Sequence, residues 1–71
     1  MKLPQISGKE VIKILCRKGF VVVRQKGSHV RLEQNSEKGT IKITVPLHHL
    51  LKRGTLHQII KDSGISEEDF A

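Results

Sequence analysis

Two stretches of alternating apolar and polar residues constrain the fold of this chain more than any other feature. In the first, Val30 and Leu32 alternate with polar residues, and after a polar segment over residues 35–39 the alternation resumes from residue 40 to residue 45. Because successive side chains of a strand point to opposite faces, each stretch predicts an antiparallel strand with one buried face. The polar segment between them predicts a hairpin loop. In the same alternation, His29 lies on the face opposite Val30 and Leu32 and therefore points away from the core.

A helix is predicted before the strands. Residues 7–10 fit a capping box, in which the Ser7 side chain accepts a hydrogen bond from the Glu10 amide and Glu10 reaches back to the Ser7 amide. Apolar residues at helical spacing follow, and Gly19 supplies a left-handed residue beyond the last turn. The helix is therefore expected to run from about residue 8 to residue 18.

The rest of the chain predicts one more strand and a second helix. Residues 20–25 are rich in β-branched and aromatic side chains and form the first strand, and residues 26–27 mark a turn. Pro46 ends the third strand, residues 55–58 fit a second capping box, and Gly64 ends the helix that this box opens. The order predicts an α+β fold: helix, three-stranded antiparallel sheet, helix, with both helices on one face of the sheet.

The short length and the uneven charge narrow the classes of function. The 71 residues form one small domain, without room for a large active-site cavity or a cofactor-binding domain. Residues 1–31 carry eight Lys or Arg against one Glu, a balance of +7, and residues 32–71 carry five against six, a balance of −1. A basic half indicates nucleic acid or an acidic protein partner, with a solvated lysine-rich face as the alternative.

The single cysteine and the N-terminal residues indicate the cellular compartment in which the protein is expected. Cys16 has no partner for an internal disulfide, which fits a reducing cytoplasm. The first residues contain no apolar run, so neither a signal peptide nor a membrane span is expected. Because Cys16 lies at the edge of the apolar stripe of the first helix, its side chain is expected in the core or at its boundary.

The tripeptide Gly27-Ser28-His29 stands where the first strand is predicted to turn into the second, and it carries the strongest functional signal. A turn with a histidine and cations suggests chemistry on a phosphodiester, or binding of one, and such cleavage needs a base, an acid and positive charge around the phosphorus. A histidine exchanges protons near neutral pH, and fixed cations hold a phosphate beside it. The cations nearest in sequence are Arg24, Lys26 and Arg31.

Gly27 and Ser28 are expected to shape the turn and to contact RNA. Gly27 supplies backbone freedom or lets RNA approach closely, and amides near it can contact a phosphate oxygen. Ser28 is a poor nucleophile beside His29, because neighbouring residues on a strand point to opposite faces. Its hydroxyl is expected to hydrogen-bond within the turn. The alternative for His29 is an exposed strand histidine without a task.

The other histidines are weaker signals. His48, His49 and His57, even together with Cys16, lack the spacing of a zinc site, so no metal is expected. His48 either contacts RNA or caps the second helix. With no tyrosine or tryptophan, the chain is expected to bind the backbone and shape of RNA rather than to stack on its bases. Three leucines of the same loop are expected in the core: Leu47, Leu50 and Leu51.

Six segments, taken in order, carry a family resemblance: Ser7-Gly8-Lys9-Glu10, Gly19-Phe20, Arg24-Gln25-Lys26-Gly27-Ser28-His29, Val45-Pro46-Leu47-His48, Lys52-Arg53-Gly54-Thr55-Leu56 and Gly64-Ile65-Ser66. Through them the chain resembles the HicA-type toxins, also called the YcfA-like family, from about Leu3 to Phe70. The resemblance implies one toxin domain over residues 1–71, with a fold like a double-stranded-RNA-binding domain. It also implies a messenger-RNA endonuclease that a HicB-type antitoxin neutralises, with His29 as the catalytic histidine. Residues 48–51 depart from the commoner family pattern.

The sequence thus predicts a metal-independent ribonuclease toxin that works in the cytoplasm without a cofactor. A small RNA-binding module of the same fold, without catalysis, is the alternative. A pure protein-interaction domain is a third and weaker interpretation. Only the ribonuclease hypothesis predicts that RNA is cleaved in the presence of a chelator and that cleavage is lost when His29 is replaced.

Overall fold

Three antiparallel strands form a single sheet in the order β1-β2-β3, and helices cover one of its faces. The computed structural model describes residues 5–70. Its elements follow in chain order as α1 (Gly8–Arg17), β1 (Val21–Lys26), β2 (His29–Ser36), β3 (Gly39–Pro46), α2 (Arg53–Ser63) and a 3₁₀ helix (Glu67–Phe70). The predicted α+β fold, with the order helix-strand-strand-strand-helix, is confirmed.

The alternating residues of β2 and β3 lie as the sequence predicts. Val30 and Leu32 on β2 are buried, as are Ile43 and Val45 on β3, whereas the residues between them are exposed. The helices and the chain segments beside them complete the core with Ile6, Val11, Leu15, Phe20, Leu51, Leu56, Ile59, Ile60 and Phe70. Because the whole core lies on one side, the second face of the sheet is open to solvent.

Helix α1 begins and ends where its flanking residues predict. The Glu10 amide donates to Oγ of Ser7 (3.1 Å), which is the first bond of the predicted capping box. Gly19 follows the end of the helix with a φ of 97°, in the left-handed region that favours glycine. At the other end Gly8 is buried against the main chain of Pro46, so closely that a Cβ on Gly8 would overlap the Pro46 carbonyl oxygen.

Helix α2 begins at Arg53, so the predicted capping box over residues 55–58 is wrong. Lys52 precedes the helix and makes no side-chain hydrogen bond to it. The preceding loop explains the difference: Leu51 is buried, and its amide donates to the carbonyl of Ile6 (2.9 Å). This anchor directs the chain into the helix before it reaches the predicted box.

The hairpin between β2 and β3 is tighter than the predicted loop over residues 35–39. β2 continues to Ser36 and β3 begins at Gly39, so only two residues lie in the turn. The Thr40 hydroxyl donates to Oδ1 of Asn35 (3.1 Å), and the Ser36 hydroxyl donates to the Gly39 carbonyl (2.8 Å). The polar side chains of this segment, which indicated a loop, therefore form hydrogen bonds between β2 and β3 where the two strands are exposed.

Three apolar residues are more exposed than predicted. Leu51 is buried, but Leu47 and Leu50 are 39% and 58% exposed, because the loop follows the surface before it reaches its anchor at Leu51. Cys16 is exposed as well, so the prediction of a core or boundary position is wrong. It lies one turn after the half-buried Ile12, beyond the area of α1 that packs against the sheet.

Candidate functional site

The turn between β1 and β2 holds the tripeptide that carries the functional signal. Lys26 and His29 lie opposite each other at the ends of the two strands, which leaves Gly27 and Ser28 as a two-residue turn. Gly27 has a φ of 60°, and a positive φ at the first position of such a turn favours glycine. A Cβ on Gly27 would meet no atom within 4 Å, so backbone conformation rather than space selects glycine.

A β-bulge in β1 decides which face its cations occupy. Val22 lies opposite Leu32, and Arg24 lies opposite Arg31. Val23 between them is therefore an extra residue in β1. In a regular strand Arg24 would share the core-facing side of Val22. The extra residue moves Arg24 to the open face of the sheet.

The open face beside the turn forms a shallow cleft of about 180 Å³, lined by Arg24, Lys26, His29, Arg31 and Thr44. The structure thus brings the three predicted cations together with the predicted histidine. All five side chains are exposed. Thr44 lies opposite Arg31 on β3, and sequence analysis missed it because its place depends on the register between β2 and β3.

The cleft is positively charged and has no acidic side chain in its lining. Arg24 and Arg31 face each other directly across β1 and β2. The salt bridge found in the described part of the chain joins Lys18 to Asp69 (3.2 Å) and involves none of the cations of the cleft. Like charges directly opposite on neighbouring strands destabilise a sheet. An anion bound between the two arginines would remove that repulsion.

His29 is fixed at its backbone and free at its side chain. On the central strand it is paired with Lys26 of β1 and with Pro46 of β3. Its imidazole is exposed, and none of the side-chain hydrogen bonds among residues 5–70 involves it. A fixed backbone with an exposed imidazole suits a group that exchanges protons with a bound ligand.

Ser28 contributes its main chain to the turn rather than its side chain. The Leu47 amide donates to the Ser28 carbonyl (2.6 Å), and the side-chain amide of Gln25 donates to the Gly27 carbonyl (3.1 Å). The predicted bond of the Ser28 hydroxyl within the turn is not formed with any residue that the structure describes. The bond from Leu47 ties the turn to the loop that follows β3.

That loop forms a second cleft, of about 300 Å³, lined by Ser7, Lys9, Leu47, His48 and His49. The Gly8 amide donates to the His48 carbonyl (2.9 Å) and holds the loop against the beginning of α1. Since α2 begins at Arg53 after Lys52, His48 does not cap it, and that alternative is wrong. Sequence analysis missed Lys9 as a neighbour of His48, because only the fold brings them together.

The remaining histidine, His57, is exposed on α2 and lines neither cleft. Within residues 5–70 no group of three or more His, Cys, Asp or Glu side chains is placed to hold a metal ion. In the same part of the chain, no helix has the length and apolar character needed to cross a membrane.

Comparison with protein families identifies the family to which most of the chain corresponds. Residues 8–65 match the model of the family described as the HicA toxin of bacterial toxin-antitoxin systems. The matched range contains α1, the whole sheet, α2 and every residue that lines the first cleft. Comparison with curated proteins gives no significant match.

Proposed function

Because the chain belongs to the HicA toxin family of bacterial toxin–antitoxin systems, we propose that it is a messenger-RNA endonuclease that needs no metal and uses His29 as its catalytic residue. The observation that supports this most is the cleft in which His29 lies among three cations, none of which forms a salt bridge within residues 5–70. A proton acceptor and positive charge thus meet on a surface that an RNA strand can reach. Because messenger RNA is the proposed substrate, we propose that the reaction takes place in the cytoplasm.

The proposed reaction uses the nucleophile that RNA itself carries. The His29 imidazole accepts the proton of a ribose 2′-hydroxyl, and the 2′-oxygen forms a bond to the adjacent phosphorus. The bond from phosphorus to the 5′-oxygen then breaks, and that oxygen leaves with the proton that the imidazolium returns. The products are a 2′,3′-cyclic phosphate and a free 5′-hydroxyl. Acid–base catalysis by one such group accounts for about 10²- to 10⁴-fold in rate.

The cations of the cleft are proposed to bind the phosphate that reacts. Arg24 and Arg31 face each other, so a phosphate between them accepts hydrogen bonds from both planar guanidinium groups. Lys26 lies opposite His29 and adds positive charge where the phosphorane forms. Gly27 and Ser28 are proposed to contact RNA through the main chain, since the turn carries no side chain at Gly27 that would keep RNA away.

Cleavage of RNA in a chelator, measured for the wild type beside His29→Ala, tests the proposal. We expect the wild type to cleave and His29→Ala to be inactive yet folded, because the exposed imidazole has no core contact to lose. His57→Ala is the matched control, since it removes an exposed histidine that lines neither cleft. Full activity of His29→Ala would refute the assignment, and so would an unfolded His29→Ala protein.

A non-catalytic RNA-binding module is the second candidate. One observation favours it. The base of a catalytic pair is usually oriented by a hydrogen bond from a third group. No side chain among residues 5–70 makes such a bond to the His29 ring. This candidate predicts salt-sensitive RNA binding by the wild type without any cleavage. The chelator experiment therefore separates the two candidates.

We further propose that a HicB-type antitoxin inhibits the toxin by covering the first cleft. Residues 21–23 of β1 are three valines that are 61%, 44% and 51% exposed, and β1 lies at the edge of the sheet. An edge strand with exposed apolar side chains is a template for pairing with another chain. Arg24 and Lys26 continue the same strand, so a partner with apolar and acidic side chains fits it, and a partner seated there also covers His29.

A further inference from the structure

The second cleft has no role in the reaction described above, yet it adjoins the first. The Leu47 amide donates to the carbonyl of Ser28 (2.6 Å), the residue directly before His29, and Leu47 itself lines the second cleft. Pro46, the residue before Leu47, is paired with His29 across the sheet. An RNA strand that runs from His29 over the turn toward the end of β3 would pass next to this second cleft.

The side chains of the second cleft suit a nucleotide. Lys9 supplies a cation for a phosphate, His48 and His49 supply two aromatic rings, and Leu47 adds an apolar surface that is 39% exposed. No acidic residue lines the cleft. Phe20 and Phe70 are buried, so the exposed aromatic rings of residues 5–70 are all histidines, and two of them meet here. The absence of tyrosine and tryptophan argues against base stacking, but bases also stack on histidine rings, and this cleft has two of them.

The cleft is also held in place by the main chain. The amide of Gly8 donates to the carbonyl of His48 (2.9 Å), and the amide of Leu51 donates to the carbonyl of Ile6 (2.9 Å). Gly8 packs closely against the carbonyl of Pro46. These contacts involve no side chain of Lys9, His48 or His49, so each of these side chains can be removed without loss of a bond that positions the loop.

We infer that the second cleft binds one nucleotide beyond the dinucleotide that is cleaved, with Lys9 on its phosphate and the rings of His48 and His49 against its base. The inference rests on the proposed function, since it assigns a subsite to the same RNA. It gives the toxin a preference for RNA longer than a dinucleotide. It also extends the RNA-binding surface from the first cleft across the turn to α1.

Binding is tested first, with a fluorescently labelled single-stranded RNA of about eight nucleotides on the His29→Ala protein. Lys9→Ala and the double variant His48→Ala/His49→Ala are each expected to raise Kd about tenfold. Lys9→Ala is also expected to reduce the slope of log Kd against log salt concentration by about 0.7, the value for one phosphate contact on a single strand. Lys38→Ala, in the turn at the far end of the sheet, and His57→Ala are the matched controls and are expected to leave Kd unchanged.

Cleavage kinetics then decide whether the effect belongs to a subsite. These variants are then made in a protein with His29 intact. For the octanucleotide, they are expected to raise KM and to leave kcat unchanged. For a dinucleotide, they are expected to change neither KM nor kcat. Equal losses on both substrates, or unchanged Kd and KM on the octanucleotide, would overturn the inference. If the wild type cleaves neither substrate, the proposed ribonuclease fails, and the binding arm still decides whether the second cleft holds RNA.

Discussion

Replacement of Arg24 with Gln is expected to stabilise the free protein while it weakens RNA binding. Arg24 lies opposite Arg31 on the neighbouring strand, and both side chains are exposed. At a cross-strand separation of about 5.5 Å, two unit charges in water repel by at most about 0.8 kcal/mol. Screening by salt and the motion of exposed side chains reduce this to about 0.3–0.5 kcal/mol. For a domain of this size the gain corresponds to a rise in Tm of roughly 1–4 °C.

The matched control is Lys42→Gln on the same open face of the sheet. Lys42 lies opposite Glu33, so the same loss of one positive charge removes an attraction instead of a repulsion. Thermal unfolding at about 20 mM and about 1 M salt should show Tm shifts of opposite sign at low salt. Both shifts should vanish at high salt, where the Debye length is about 3 Å. RNA affinity, measured on the His29→Ala protein, should fall for Arg24→Gln and stay unchanged for Lys42→Gln.

Two results would refute this reasoning about the first cleft. A lower Tm for Arg24→Gln at low salt, or a shift of the same size at both salt concentrations, would show that no unrelieved repulsion exists there. A higher Tm without any loss of RNA affinity would confirm the repulsion but contradict the role of Arg24 in RNA binding.

The remaining predictions concern packing, salt dependence and the antitoxin. Gly8→Ala is expected to lower the free energy of unfolding by about 2 kcal/mol, because its Cβ overlaps the Pro46 carbonyl, whereas Gly54→Ala, with nothing within 4 Å, should raise it by up to about 1 kcal/mol. Equal effects in denaturant unfolding would contradict the close packing. Alanine at all three cations of the first cleft should flatten the salt slope of RNA binding by about 2, and an unchanged slope would place RNA elsewhere. Antitoxin should displace labelled RNA from the His29→Ala protein, and a ternary complex with undiminished RNA affinity would rule out masking.

The sheet and α1 could be predicted because their signals are local and agree with one another. Val30 and Leu32 alternate with exposed residues. Such an alternation arises whenever one face of a strand is buried, whatever packs against that face. Ser7 and Gly19 mark the two ends of α1 by hydrogen bonding and backbone conformation, which need no knowledge of the remaining chain.

The beginning of α2 and the composition of both clefts depend on contacts between distant segments. α2 starts early because Leu51 is bonded to Ile6, and no property of residues 55–58 reveals that bond. Arg24 reaches the open face only because β1 has a bulge, and a run of three valines does not indicate which of them is extra. Lys9 meets His48 only after the chain has returned to α1 from the end of β3.

The proposed site lies on an open sheet face, and this position has a consequence for how the toxin is expected to be controlled. The 71-residue chain has its one core on the covered side of the sheet, so the groups around His29 stand in water rather than inside a cavity. In water each cation contributes little, so we expect the proposed RNA binding to depend on several phosphate contacts and to weaken steeply with salt. No element within residues 5–70 covers His29, so we expect the proposed antitoxin, rather than these residues, to block the site. The exposed valines at residues 21–23 offer a protein partner apolar area that RNA phosphates cannot use, so we expect the proposed antitoxin to bind this edge strand more tightly than RNA binds the cleft.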